Sequence, residues 1–142
     1  MAETSSPYKM RPPVLQVRVE DSMDIMIVRD TTRRAAGLLG FSPGHRAQLA
    51  SAAATLAELV LKTGEAHTVH LNGVQKQRDI GLQISSETPW LEGVSMNNVM
   101  IALKSKMGDL VDEILVIEEP LTILMVMWRK DSGSSIADDR SD

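Results

Sequence analysis

The spacing of apolar positions changes along the chain and predicts a succession of strands and helices. The stretch VLQVRVE, which begins at Val14, alternates apolar and polar residues as strands do. Helical spacing follows up to Gly40, a residue typical of a helix end. Ser42 and Pro43 then combine a capping side chain with a proline suited to the first helical position. We therefore predict a second, alanine-rich helix that runs to about Lys62.

The second half of the chain predicts paired strands. AHTVHL and DIGLQIS alternate apolar with polar residues, and the Asn72-Gly73 pair between them is typical of a tight hairpin turn. A helix from Val99 to Met107 follows, and the runs EILVIEEP and LTILMVMWRK predict two more strands joined at Pro120. The order β-α-α-β-β-α-β-β predicts an α+β fold, a two-layer sandwich. Its sheet has about five strands and is mixed but mostly antiparallel, with three helices on one face.

The polar ends of the chain set the expected limits of this domain. Residues 1–13 are polar and rich in proline, so we predict a disordered lead-in. Residues 131–142 are mostly small, polar or acidic and predict a disordered acidic tail. The body, residues 14–130, shows no internal repeat and is expected to form one domain.

The same periodicity predicts which surfaces are buried. In the first helix, the positions expected to face the core are Met23, Met26, Ile27, Ala35, Leu38 and Leu39. The final strand is apolar on both sides, so one side should pack on the helices. The other side is either covered by a loop or tail or forms a subunit or partner interface, to which methionines are well suited. The candidate interface residues are Leu124, Met125, Val126, Met127 and Trp128.

Composition excludes several classes of function. The 142 residues include no cysteine, which excludes disulfides, thiolate metal sites and cysteine nucleophiles. A net charge of −4 and only four aromatic residues argue against nucleic-acid binding. No apolar run is long enough to cross a membrane, and the first residues lack the apolar stretch of a signal peptide. We therefore expect a cytoplasmic protein that binds neither membranes nor nucleic acid.

The usual catalytic and cofactor motifs are missing. His67 and His70 are three apart on a predicted strand and so point to opposite faces, and His45 has no evident partner, so no metal site is predicted. There is no G-x-S-x-G motif, and the nine glycines form neither a dinucleotide fingerprint nor a P-loop.

One polar constellation lies on the second predicted helix. Its members are three or four residues apart and form a stripe on one face: Gln48, Ser51, Thr55, Glu58 and Lys62. The stripe is either the solvent-facing side of an amphipathic helix or the wall of a pocket in which Glu58 does acid–base or metal-related work.

At this helix the sequence resembles the bacterial switch kinases and anti-sigma-factor kinases of the GHKL (histidine-kinase-like) ATPase superfamily. The stressosome switch kinase, which phosphorylates STAS-domain proteins, is the most similar. The residues that carry the resemblance are Asp24-Ile25 and Arg29, the Gly40-Phe41 turn, and Glu58-Leu59-Val60-Leu61-Lys62 in place of the family's E-L-x-x-N box. ILMVMWRK resembles the family's last strand, and the likeness covers residues 17–130 in element order. It implies a Bergerat-like version of the same sandwich.

The family's nucleotide-binding boxes are altered here. In the family, the glutamate activates the attacking group and the asparagine ligates the Mg²⁺ of bound ATP. Glu58 is kept, but Lys62 stands at the asparagine position, and an ammonium group has no lone pair for a metal. The D-x-G-x-G box reads Ser86-Glu87-Thr88-Pro89-Trp90-Leu91, in which Glu87 could imitate the aspartate and Trp90 would obstruct adenine. The glycine-rich lid is shortened to residues 92–98.

These departures favour a non-catalytic regulatory module, a pseudoenzyme relative that acts in partner switching of a bacterial stress or transcription response. We expect no cofactor, and we expect Lys62 to pair with Glu58 in a vestigial pocket that also includes Glu87 and Trp90. The resemblance implies a STAS-domain antagonist, a phosphatase or a sigma factor as partner, and a homodimer is a further alternative.

Two other functions remain open. An active serine/threonine kinase would use Mg-ATP, with Glu58 as the base, Glu87 at adenine and Lys62 at a phosphate. A structural subunit of a larger assembly would need no pocket.

Overall fold

Eight elements make up the computed structural model, which describes residues 6–118 and 120–129. In chain order they are β1 (Lys9–Val19), α1 (Asp24–Leu38), α2 (Pro43–Leu61), β2 (His67–Lys76), β3 (Asp79–Glu87), α3 (Val94–Met107), β4 (Glu113–Ile117) and β5 (Thr122–Trp128). The strands form one open sheet in the order β1-β2-β3-β5-β4. The predicted α+β fold, element order and helix count are confirmed. The third helix begins at Val94, however, five residues before the predicted start at Val99. All four strand pairings are antiparallel, so the sheet is not mixed.

The first strand begins at Lys9, five residues before the predicted start of the domain. Its pairing with β2 shifts register between Arg11 and Val14, where the two prolines lie. Proline lacks the N–H that a ladder needs, and β1 is an edge strand, which tolerates proline at such an irregularity. Part of the predicted lead-in therefore belongs to the sheet. The predicted acidic tail, residues 131–142, lies outside the described residues.

The turn between β2 and β3 was predicted at the wrong place. Asn72 and Gly73 lie inside β2, and the turn is formed by Gln77 and Arg78, with Gln77 at φ 57°. Gly73 instead allows β1 to pass close to β2 at the register shift. A Cβ at this position would lie 2.7 Å from the Pro12 carbonyl oxygen and 2.9 Å from that of Arg11. The glycine permits a close approach of two strands rather than a turn.

The capping signals around Gly40 act as predicted. Gly40 has a φ of 87° and follows the last turn of α1. The Phe41 N–H donates to the Ala36 carbonyl at 3.0 Å, and the Gly40 N–H donates to the Gly37 carbonyl at 3.1 Å, which is a Schellman motif. This motif directs Phe41 into the core, where its side chain is 1% exposed. At the start of α2, the Ser42 Oγ accepts the His45 N–H at 3.3 Å.

The main core lies between the helices and one face of the sheet. The side of α1 that faces this core is opposite to most of the positions predicted to face it. Its buried residues are Val28, Thr32, Ala35 and Ala36. Four of the six residues predicted to face the core are exposed: Met23, Met26, Ile27 and Leu38. α1 packs against α2, whose buried residues are mostly alanine, so the two helices approach closely and small side chains fit between them.

The second face of the sheet carries its own apolar cluster, against which Tyr8 and Met10 pack. Val74, Leu124 and Val126 are buried there, with Tyr8 and Trp128 packed against them. The rings of Tyr8 and Trp128 meet edge to face at 4.9 Å between centroids. Of the residues predicted as an interface, Leu124, Met125, Val126 and Met127 are buried within the chain, and Trp128 is half-buried. The burial matches the alternative in which other parts of the chain cover this strand.

Glu113 of β4 forms hydrogen bonds with both aromatic residues of this cluster. One of its carboxylate oxygens accepts the Tyr8 hydroxyl, and the other accepts the Trp128 Nε1–H at 2.9 Å. The hydrogen bond to Glu113, with burial and the charge of Glu113, raises the pKa of Tyr8 from 10.0 to about 12. Protonated Tyr8 therefore stabilises the fold below pH 10.0, and this contribution is lost as the pH rises through about 12.

Tyr8 is the only tyrosine, so the phenolate absorbance of the protein reports on it alone. We expect an absorbance midpoint near pH 12 in the folded protein and a lower midpoint for Glu113→Gln, which removes the negative charge. Tyr8→Phe should lose less stability than the parent between pH 10.0 and 12, because it has no hydroxyl to ionise. A parent midpoint at the ordinary tyrosine value, with folding verified by circular dichroism, would contradict the contact with Glu113.

Candidate functional site: an exposed face of α1 and a separated set of polar residues

The polar stripe of α2 forms the outer side of that helix. Gln48, Ser51 and Thr55 are half-buried, whereas Glu58 and Lys62 are exposed near its C-terminal end. Glu58 and Lys62 form no salt bridge with each other, so the predicted ion pair is absent. The amphipathic-helix interpretation of the stripe therefore describes its geometry better than the pocket-wall interpretation.

Trp90 is held against the end of α2. Its indole Nε1–H donates to the Thr63 Oγ at 2.9 Å, and its ring packs at the edge of the main core. The Thr63 hydroxyl in turn donates to the Val60 carbonyl at 2.6 Å. Trp90 thus ties the segment after β3 to the C-terminal end of α2.

A cavity of about 270 Å³ brings together Glu87 and Trp90 but not the other two predicted pocket residues. It lies where β3 ends, and Arg18, Thr68 and His70 are also among its lining residues. Glu58 and Lys62 do not line it. The four residues predicted to form one vestigial pocket are therefore divided between this cavity and the outer side of α2.

His67, which the sequence did not mark as functional, also lines this cavity. Its side chain is 2% exposed, and its Nδ1 lies 3.4 Å from the Glu65 carbonyl oxygen. Burial, together with the charge of Arg18, lowers the pKa of His67. With Nδ1 as the donor to Glu65, Nε2 is a buried acceptor without a hydrogen-bond partner.

The described part of the chain holds no cluster of three or more histidine and acidic residues that could bind a metal ion. Both histidines of β2 border the same cavity, although His67 is buried and His70 is half-buried. A kinase site would need carboxylates or amides placed to hold Mg²⁺, and the exposed ammonium of Lys62 supplies only donors.

The outer face of α1 is an exposed apolar surface that the sequence did not predict. Of the large apolar side chains exposed among the described residues, those at this helix are Met23 (78%), Met26 (69%), Ile27 (52%) and Leu38 (69%). Ile27 and Leu38 are eleven residues apart, about three helical turns, and so lie on one side. Arg34 lies between them on that side, four residues before Leu38. We call Met23, Met26, Ile27, Arg34 and Leu38 the α1 stripe.

No protein-family model and no curated protein matches the sequence. Within residues 6–118 and 120–129, none of the helices combines the length and hydrophobicity required to cross a bilayer.

Proposed function

We propose that this protein is a non-catalytic, cytoplasmic protein-binding module that takes part in partner switching. The α1 stripe is the observation that carries the proposal. Exposed apolar residues are common singly, but a group of them on one helix marks a surface that another protein covers. Methionines suit such a surface because their flexible side chains adapt to a partner.

The separation of the four pocket residues supports a function without nucleotide. A kinase would need Glu58 next to the phosphates and an adenine contact nearby, whereas Glu87 and Trp90 line a cavity that Glu58 and Lys62 do not. Trp90, which lies in the segment where the family resemblance would locate adenine, also donates a hydrogen bond to Thr63. The resemblance suggests a STAS-domain protein, a phosphatase or a sigma factor as the partner.

The test combines nucleotide and protein binding. We expect calorimetry with Mg-ATP to show no binding, and we expect one of the purified STAS-domain, phosphatase or sigma-factor proteins of the same genome to bind this chain. Ile27→Asp should weaken that binding more than about tenfold, since a charge at a buried interface contact is costly. Val14→Asp is the matched control, because Val14 is similarly exposed but lies on β1.

Three results would count against the proposal. Micromolar affinity for Mg-ATP, with phosphate transfer that Glu58→Gln abolishes, would favour the kinase. Equal loss of binding in Ile27→Asp and Val14→Asp would show that α1 is not the interface. Self-association that Ile27→Asp disrupts, without any bound partner, would favour a homodimer or a structural subunit.

A further inference from the structure

A groove of about 550 Å³ lies between the start of α3 and the β4–β5 hairpin. Met96 and Met100, about one turn apart on α3, line it together with Val116 and Leu121 of the hairpin. Met96 is buried and the other three are half-buried, so the groove exposes apolar surface. Its volume lies within the range in which proteins bind ligands or the side chains of a partner.

The rim of the groove is acidic. Glu92 precedes α3 and Glu118 follows β4, and both are exposed lining residues. Neither forms a salt bridge with a lysine or arginine of the described chain. The lysines of α3, Lys104 and Lys106, lie in its last turn, at the opposite end of the helix from Glu92. Two uncompensated carboxylates beside an apolar floor create a negative potential that favours a cation.

Exposed apolar side chains extend this surface along α3. Val94, at the first position of the helix, is 74% exposed, and Ile101, which follows Met100, is 67% exposed. Apart from the residues at α1 and Val14, these are the large apolar side chains that the described chain exposes. The groove and its borders therefore form a second apolar area, distinct from the α1 stripe.

We propose that this groove is a docking site for a protein segment that carries apolar side chains next to lysine or arginine. The apolar side chains displace water from Met96, Met100 and Leu121, and the cations pair with Glu92 and Glu118. An acidic segment of the same shape is rejected, because its charges would meet two carboxylates. The groove lies at the β4 edge of the sheet, whereas α1 packs on β1 and β2, so this site stands independently of the function proposed above.

The experiment uses the whole chain and a matched pair of short, capped peptides. One peptide has leucines flanked by lysines, and the other has glutamates in place of the lysines. Binding is measured by the shifts of backbone amide signals in NMR titrations at low and high salt. The groove variant combines Glu92→Gln with Glu118→Gln. The control variant combines Glu20→Gln with Glu65→Gln, which changes the net charge equally at a distance from the groove.

We expect the lysine peptide to shift the amides of residues 92–100, of residues 116–118 and of Leu121, with weaker binding at high salt. The groove variant should lose about tenfold in affinity while the control variant stays near the parent, because only the former removes the pairing carboxylates. Equal affinity for the two peptides would overturn the proposal. Equal weakening in both variants, shifts confined to other surfaces, or self-association through the groove would also overturn it.

Discussion

Replacing Phe41 with alanine is expected to lower the free energy of unfolding by about 3–5 kcal/mol. The Phe41 side chain is almost fully buried, and the Schellman motif at Gly40 fixes the direction in which the chain enters the core. Truncation removes the transfer free energy of the ring and leaves a cavity that the surrounding helices cannot fill completely. Urea denaturation followed by circular dichroism measures the change.

Leu38→Ala is the matched control for this loss. Leu38 precedes Phe41 by three residues, but its side chain is 69% exposed and belongs to the α1 stripe. We expect its substitution to change stability by no more than about 0.5 kcal/mol, as at other surface positions. A large loss in Leu38→Ala, or a small one in Phe41→Ala, would show that the boundary between α1 and α2 is packed differently.

Two adjacent substitutions in α1 should have opposite consequences. Val28→Asp is expected to cost about 4 kcal/mol or more, because it removes a fully buried side chain and introduces a carboxylate with no partner in the core. Ile27→Asp should leave the fold nearly unchanged, since Ile27 lies on the exposed side. The pair tests directly which side of α1 faces the core.

The measurement is the unfolding midpoint of each variant, together with a folded far-ultraviolet spectrum. If Ile27→Asp unfolds the protein and Val28→Asp does not, α1 is oriented as its sequence pattern predicted, and the α1 stripe is part of the core. That result would also remove the basis of the proposed protein-binding function. If both variants keep the parent stability, α1 does not pack tightly against α2.

The local signals in the sequence predicted the elements well. Ser42, Pro43 and Gly40 each act within one turn of their own position, so their effect needs no knowledge of the rest of the chain. Alternation in β2 and β3 likewise depends only on the two-residue period of a strand. The order of elements then led to a mostly antiparallel sheet with three helices, although the sheet was predicted to be mixed.

The predictions were wrong where contacts between residues distant in the chain determine the structure. Asn72-Gly73 has the composition of a hairpin turn, yet Gly73 is required because the irregular part of β1 passes close to it. The start of β1 was missed because two prolines resemble a linker unless the strand is known to lie at an edge. Both features can be predicted only if the pairing of β1 with β2 is known, and no local sequence pattern shows that pairing.

The candidate site was predicted only in part. Sequence reasoning identified Trp90 and Glu87 as neighbours of one altered nucleotide box, and both line one cavity. It grouped Glu58 and Lys62 with them through family resemblance, but these two residues lie on the outer side of α2. The buried Nε2 of His67 was not predicted, because the burial of that ring depends on the packing around the end of β2.

The sequence by itself determined the number, type and order of the elements, together with the helix ends marked by Gly40 and Ser42, because these depend on interactions between residues close in the chain. Only the tertiary structure decided which side of α1 faces the core and what covers the second face of the sheet. Periodicity shows that a helix has two sides, but it does not show which side is buried. Because α1 packs against the alanines of α2, the side of α1 that carries small side chains is the buried one. Tyr8 and Trp128 are 120 residues apart in the chain, and the sheet brings their rings into contact.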